Sequence, residues 1–148
     1  MLRGSKTATV DGKGRLKVPT AFKADLDKTY GQDVDFFVTS LDGQSVRVYP
    51  YPEWIKIEEK LAPLPSMNKA KKRFLDRTNY WGETARADAQ GRILIPSLLR
   101  ESAGMQGEVK VIGGHDEYLE VWNMDRLREP MSQPFPDEDM DTLGGLGI

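Results

Sequence analysis

Asp11-Gly-Lys-Gly-Arg-Leu-Lys-Val-Pro19 returns later in the chain as Asp88-Ala-Gln-Gly-Arg-Ile-Leu-Ile-Pro96. Asp, Gly, Arg and Pro keep the same offsets, and aliphatic residues alternate at matching places: Leu16 and Val18, then Ile93 and Ile95. An internal repeat decides the architecture before any single element does. Apolar residues two apart predict a strand with one buried face. Glycine marks a tight turn that needs positive φ, and proline suits the first turn of a helix. Each copy therefore reads as strand, Gly-rich turn, strand, then helix.

The similarity runs on beyond the motif. In the first copy, strands are predicted over 7–10, 15–18, 34–39 and 45–49, with a helix over 20–27 that buries Phe22 and Leu26. A second helix opens at Pro52. In the second copy the strands fall at 84–87, 92–95, 108–112 and 118–122. The last two pair across Gly113-Gly-His-Asp116. Gly104 ends a helix over 97–103, and Asn123 caps one running to Arg128. Val46-Arg-Val-Tyr49 corresponds to Leu119-Glu-Val-Trp122.

Between the copies, Ala62-Pro-Leu-Pro65 breaks the chain. Ser66 is expected to cap a helix to Tyr80, with Met67, Ala70, Phe74 and Trp81 on its buried side. Trp54, Trp81 and Trp122 read as core anchors. The boundaries are residues 5–52 for repeat 1, 53–81 for linker helices and 82–125 for repeat 2. Residues 130–148 are expected to be a disordered acidic tail, since they offer little to bury.

The chain has 148 residues, 39% hydrophobic and 30% charged, without cysteine. That excludes disulfides and thiolate metal sites. No apolar run reaches the length of a membrane span, and no secretory core opens the chain, which favours a cytoplasmic location. The net charge is −2, but charge is segregated. Residues 1–23 carry Arg3, Lys6, Lys13, Arg15, Lys17 and Lys23 against Asp11, and a second basic run surrounds Arg73. The tail has acids and neither Lys nor Arg. Such segregation permits a basic face on an acidic protein.

The repeated turn suits anion contact, because its Arg presents a fork matched to phosphate oxygens or a guanine edge. Lys13 and Lys17 are replaced by Gln90 and Leu94 in the second copy, so the first turn reads as the more cationic. The same residues also support a purely structural reading, in which Asp11–Arg15 and Asp88–Arg92 pair across their own turns. Both readings can hold together. No catalytic or metal set assembles. His115 is the single histidine and lies in a turn. Asp137, Asp139 and Asp141 resemble the start of a calcium loop, but Thr142 and Ile148 stand where Gly and Glu are needed. The chain is thus read as a binding protein, with no enzyme activity and no cofactor.

The two Asp-x-x-Gly-Arg-aliphatic-x-aliphatic-Pro copies resemble the MraZ family of bacterial transcriptional regulators. Met1-Leu-Arg-Gly4, Tyr49-Pro-Tyr-Pro-Glu-Trp54, Ser66-Met-Asn68 and Pro96-x-x-Leu-Arg100 extend the match over about residues 1–128. The resemblance implies an α+β, mainly β fold: a swapped-hairpin, AbrB-like barrel built from two internal repeats with flanking helices. It implies a ring-shaped homo-oligomer, nucleoid-associated, that binds direct repeats in double-stranded promoter DNA. The usual role is repressor of its own cell-wall and division operon. Carried over by motif, Arg15 and Arg92 are the DNA-binding residues, with Lys13 and Arg3 as helpers. Asp11, Gly14, Asp88 and Gly91 take the structural turn role. A protein-interaction module, antitoxin-like or scaffold, is the alternative function.

Overall fold

The structure, a computed structural model, describes residues 2–115 and 117–148. Met1 of the opening motif and Asp116 of the last hairpin lie outside the described residues. The first repeat supplies β1 (Ser5–Val10), β2 (Arg15–Lys17), α1 (Thr20–Tyr30), β3 (Asp35–Thr39), β4 (Val46–Pro50) and α2 (Tyr51–Leu61). After α3 (Lys69–Trp81), the second supplies β5 (Glu83–Arg86), β6 (Arg92–Leu94), α4 (Ser97–Ala103), β7 (Gly107–Ile112), β8 (Leu119–Asn123) and α5 (Met124–Ser132). A last helix, α6, spans Asp137–Gly145.

The eight strands form one antiparallel sheet in the order β5-β3-β4-β8-β7-β1-β2-β6. It curls into a nearly closed barrel, and Asp88 N–H donates to Arg92 O at 2.9 Å where the two edge strands meet. The order explains why the repeat matters. β1 pairs with β7 and β3 with β5, so each repeat lends its outer strands to the other. β2–β6 and β4–β8 lie on the pseudo-twofold axis, with Leu16 opposite Ile93 and Val46 opposite Val121. This is the swapped-hairpin barrel implied by the family resemblance.

The repeated aliphatics fill its centre. Leu16 and Val18 are 1% exposed, Ile93 and Ile95 0%. Phe22 and Leu26 of α1, and Leu99 and Ala103 of α4, close the barrel from opposite halves. Gly104 ends α4 in the left-handed region (φ 66°), where a side chain is strained.

Three features differ from the sequence reading. α1 runs to Tyr30 rather than Asp27, stopping at Gly31. Asn68, not Ser66, caps α3, accepting from Lys71 N at 3.0 Å. Met67 therefore precedes the helix, does not share its periodicity, and is 90% exposed. Ala70 is exposed as well, and the buried residue of α3 is Thr78. Its carbonyl accepts from the Thr39 hydroxyl at 2.6 Å. Phe74 stacks on Trp54, 5.9 Å between ring centroids, over a small outer cluster with Phe37 and Tyr49. Trp54 is fully packed there, Trp81 lies partly buried against the barrel core, and Trp122 is half-buried, with Nε1 donating to Glu120 at 2.6 Å. Beyond Pro130, the segment read as structureless holds the end of α5 and the whole of α6, and α6 buries none of its residues.

Candidate nucleic-acid interface

Both Gly-rich turns sit side by side on one rim, because β2 and β6 pair with Arg15 opposite Leu94 and Lys17 opposite Arg92. Each turn is built from its aspartate. Asp11 Oδ1 accepts from Lys13 N and Arg15 N, both at 3.0 Å, while Oδ2 accepts from Arg15 Nε at 2.9 Å. Asp88 repeats this, accepting from Gln90 N at 2.9 Å, Arg92 N at 3.0 Å and Arg92 Nε at 2.8 Å. Gly14 (φ 83°) and Gly91 (φ 74°) make the reversal possible. Their carbonyls each accept at 3.0 Å from the other repeat, Gly14 from Ile95 N and Gly91 from Val18 N.

The backbone N–H of Arg15 is the main cause that holds the Asp11 carboxyl below the usual carboxylate range; partial desolvation opposes it and the Arg15 side chain assists. Arg92 does the same for Asp88. Both acids therefore stay ionised at neutral pH and lock their arginines by Nε. The Nη1 ends point across the axis, Arg15 toward Asp88 at 3.9 Å and Arg92 toward Asp11 at 3.7 Å. The four groups form one crossed cluster, with the arginine side chains about 30% exposed. Arg92 Nη2 also donates to Gln90 Oε1 at 3.1 Å, so the ion-pair reading of the turns holds, with both guanidinium groups part-exposed.

Tertiary placement redistributes the charge expected from sequence. Lys17 belongs to the first motif, yet its Nζ contacts Gln90 O at the second turn. Lys23, next to Gly91 and paired with Asp27, lies there too. The first turn gains a cation in exchange. Arg100 of α4 lies across Gly14, so close that a β-carbon on Gly14 would fall 1.9 Å from its Nη1. Its Nε is buried without a hydrogen-bond partner. Lys13, Arg15 and Arg100 now surround one turn, and Lys17, Lys23 and Arg92 the other. With Lys23 paired to Asp27, the first turn keeps the larger net positive charge, but its third cation is Arg100 rather than Lys17.

Arg100 and Lys23 were not among the site residues read from sequence. A signal existed: each stands four residues after its motif proline, Pro96 or Pro19. Arg3 is not brought to this rim. It lies at the other end of β1, where Gly113 N–H donates to Gly4 O at 2.7 Å. Eight residues at about 3.3 Å each separate it from Asp11, roughly 25 Å. His115 stacks on Tyr118 with 4.5 Å between centroids, away from the turns. Asp137, Asp139 and Asp141 lie in α6, a helix rather than a cation-binding loop.

A barrel closed by exchange between two repeats, with paired Asp–Arg turns on one rim, defines a single-chain swapped-hairpin protein of the AbrB-like kind. Residues 1–77 and 83–134 match the family described as "MraZ protein, putative antitoxin-like". The chain is 48% identical over 149 aligned positions to the Transcriptional regulator MraZ of Acidobacterium capsulatum, covering 100% of both chains. The protein of that name from Koribacter versatilis is 45% identical, again with 100% of both covered. A Yersinia pestis relative of the same name is 36% identical over 83% of this chain and 80% of its own. The chain belongs to the MraZ family.

Proposed function

We propose that this protein is a sequence-specific DNA-binding transcription regulator. It acts as a repressor of its own cell-wall and division operon and works at the nucleoid as a ring of like subunits on promoter direct repeats. The observation that carries the reading is the crossed Asp11–Arg15–Asp88–Arg92 cluster, which holds two guanidinium groups rigidly on one rim amid four more cations. The names of the relatives, transcriptional regulators throughout, support the same reading.

The mechanism follows from rigidity and repetition. Asp-locked arginines lose little conformational freedom on contact. Lys13, Lys17, Lys23 and Arg100 neutralise phosphates and set orientation, while Arg15 and Arg92 reach base edges. One rim touches few base pairs. Several rims around a ring match direct repeats spaced by roughly 10 bp, one turn of the duplex, and linkage raises their joint affinity. Nothing in this scheme needs a cofactor or a chemical step.

Gel-shift titration against the DNA upstream of its own gene tests the reading. Arg15→Ala and Arg92→Ala are each expected to weaken binding, and the double variant to abolish it with the oligomer intact by sizing. Unchanged binding by the double variant would overturn the assignment. The family description and the exposed Phe135 and Met140 of the tail favour a second reading, a partner-binding module. Under that reading, deleting residues 130–148 releases a co-purifying protein and leaves DNA binding untouched.

A further inference from the structure

Twelve large apolar side chains are exposed among the described residues, and nine lie on two segments outside the barrel. Leu64, Met67 and Tyr80 flank α3. Met124, Met131, Phe135, Met140, Leu146 and Ile148 follow β8, on α5, α6 and beyond. Concentration of this kind marks an interaction surface rather than scattered surface apolarity.

The two segments carry opposite charge. α3 has Lys69, Lys71, Lys72, Arg73 and Arg77 against Asp76, a net of +4. Lys69, Lys72, Arg73, Arg77 and Tyr80 recur at helical spacing on its solvent side, and a groove of about 380 Å³ joins most of these cations to Met67. Lys72 pairs with Asp76 at 2.6 Å, whereas among the described residues no acid pairs with Lys69, Arg73 or Arg77. The tail from Glu129 onward holds five acids and no basic residue. Four of those acids lie on α6, with Met140 between them.

Pseudo-symmetry says where a partner is missing. α2 and α5 are counterparts, following β4 and β8. α3 roofs Phe37, Tyr49 and Trp54 on the first half, whereas α6, which follows α5 as α3 follows α2, buries none of its residues. On the second half Trp122 and Leu127 stay partly exposed, with Met131 at 67%. The cationic surface and the acidic, apolar one thus belong to different halves of the chain. Where α6 and α3 of one chain engage two different neighbours, the contact is heterologous, and heterologous contacts propagate head to tail until they close into a ring.

We infer that α6 of one subunit docks on α3 of a second copy of this chain. Phe135 and Met140 cover Met67 and Tyr80, and Asp137, Glu138, Asp139 and Asp141 meet Lys69, Lys72, Arg73 and Arg77. This rests on the self-assembly contained in the proposed function, but not on its DNA binding.

Charge reversal tests it on the full-length chain, without DNA, by sizing with mass measurement. One variant carries Asp137→Lys, Glu138→Lys, Asp139→Lys and Asp141→Lys; the other Lys69→Glu, Lys72→Glu, Arg73→Glu and Arg77→Glu. Each alone is expected to fall to a species of one chain, 16.7 kDa, with an unchanged circular dichroism spectrum. Both sets in one chain, or the two variants mixed in equal amounts, are expected to restore the assembly. Wild-type-sized assemblies from either single set would overturn the docking, as would failure of the combined set to reassemble while folded. If the α3 set loses promoter binding but keeps its assembly, α3 is a nucleic-acid surface and the inference fails. Arg15→Ala with Arg92→Ala is the control: it removes DNA binding and leaves the mass unchanged, so failure of one reading is distinct from failure of the other.

Discussion

Gly14→Ala and Gly91→Ala form a matched pair that isolates Arg100. Both glycines have positive φ, 83° and 74°, where alanine costs roughly 1–2 kcal/mol. For a chain of this length that lowers Tm by about 3–6 °C. The sites differ in what a methyl meets. At Gly91 the nearest atoms are Lys17 Nζ at 3.7 Å and Lys23 Cγ at 3.8 Å, ordinary van der Waals separations. At Gly14 they are Arg100 Nη1 at 1.9 Å, Cζ at 2.2 Å and Nε at 2.4 Å. Arg100 must leave. Leaving adds little to the stability cost, because the displaced group is the end of a flexible side chain whose Nε has no hydrogen-bond partner to give up. The two variants should therefore melt within about 1 kcal/mol of each other. Their DNA binding should differ. If Arg100 neutralises one phosphate, its displacement makes the slope of log K against log salt shallower by about 0.9. Between 50 and 200 mM salt that is about a 3.5-fold change for each phosphate. Thermal melts and salt titrations on both variants decide the matter. Equal salt slopes would show that Arg100 neutralises no phosphate. A Gly14→Ala melt more than about 3 kcal/mol below that of Gly91→Ala would show that Arg100 acts by holding the turn together.

Leu16→Ala removes a side chain 1% exposed at the centre of the β2–β6 pair, and should cost about 2–5 kcal/mol in urea unfolding; a loss below about 1 kcal/mol would contradict its place in the core. Asn68→Ala, by removing the α3 cap, should cost about 1 kcal/mol, whereas Ser66→Ala should be silent; the reverse order would restore Ser66 as the cap. Asp11 and Asp88 have lowered folded-state pKa values, so the stability they contribute is full above the ordinary carboxylate value and is lost as pH falls through the lowered one. Asp11→Asn with Asp88→Asn should therefore flatten the acid limb of the urea midpoint as pH falls below the ordinary carboxylate value, about 4. An acid limb as steep as in the parent chain would remove the two aspartates as its cause.

Local chemistry was legible in the sequence wherever neighbours along the chain decide the outcome. Alternation at Leu16, Val18, Ile93 and Ile95 marks strands with one buried face, glycine at 14 and 91 marks positive φ, and Asp11 and Asp88 cap turns made of the next four residues. All these interactions close within about five residues, so no tertiary information is needed to see them. The helix from 69 was less legible, because periodicity carried back through Met67 cannot see that Asn68 starts the helix.

What depends on contacts distant in sequence was settled by the fold. Arg15 and Arg92 are placed in one crossed cluster because β2 pairs with β6, and antiparallel pairing sends each motif's following lysine or helix cation to the opposite turn. Lys17 and Lys23 thus lie at the Gly91 turn and Arg100 at the Gly14 turn, an exchange that the linear motifs do not show. Arg3, close to the first motif in sequence, is carried roughly 25 Å away by an extended strand. The sequence alone determined which residues could turn, bury or carry charge. Only the exchange of strands between the repeats determined which charges share a surface, because that exchange joins positions no local pattern connects.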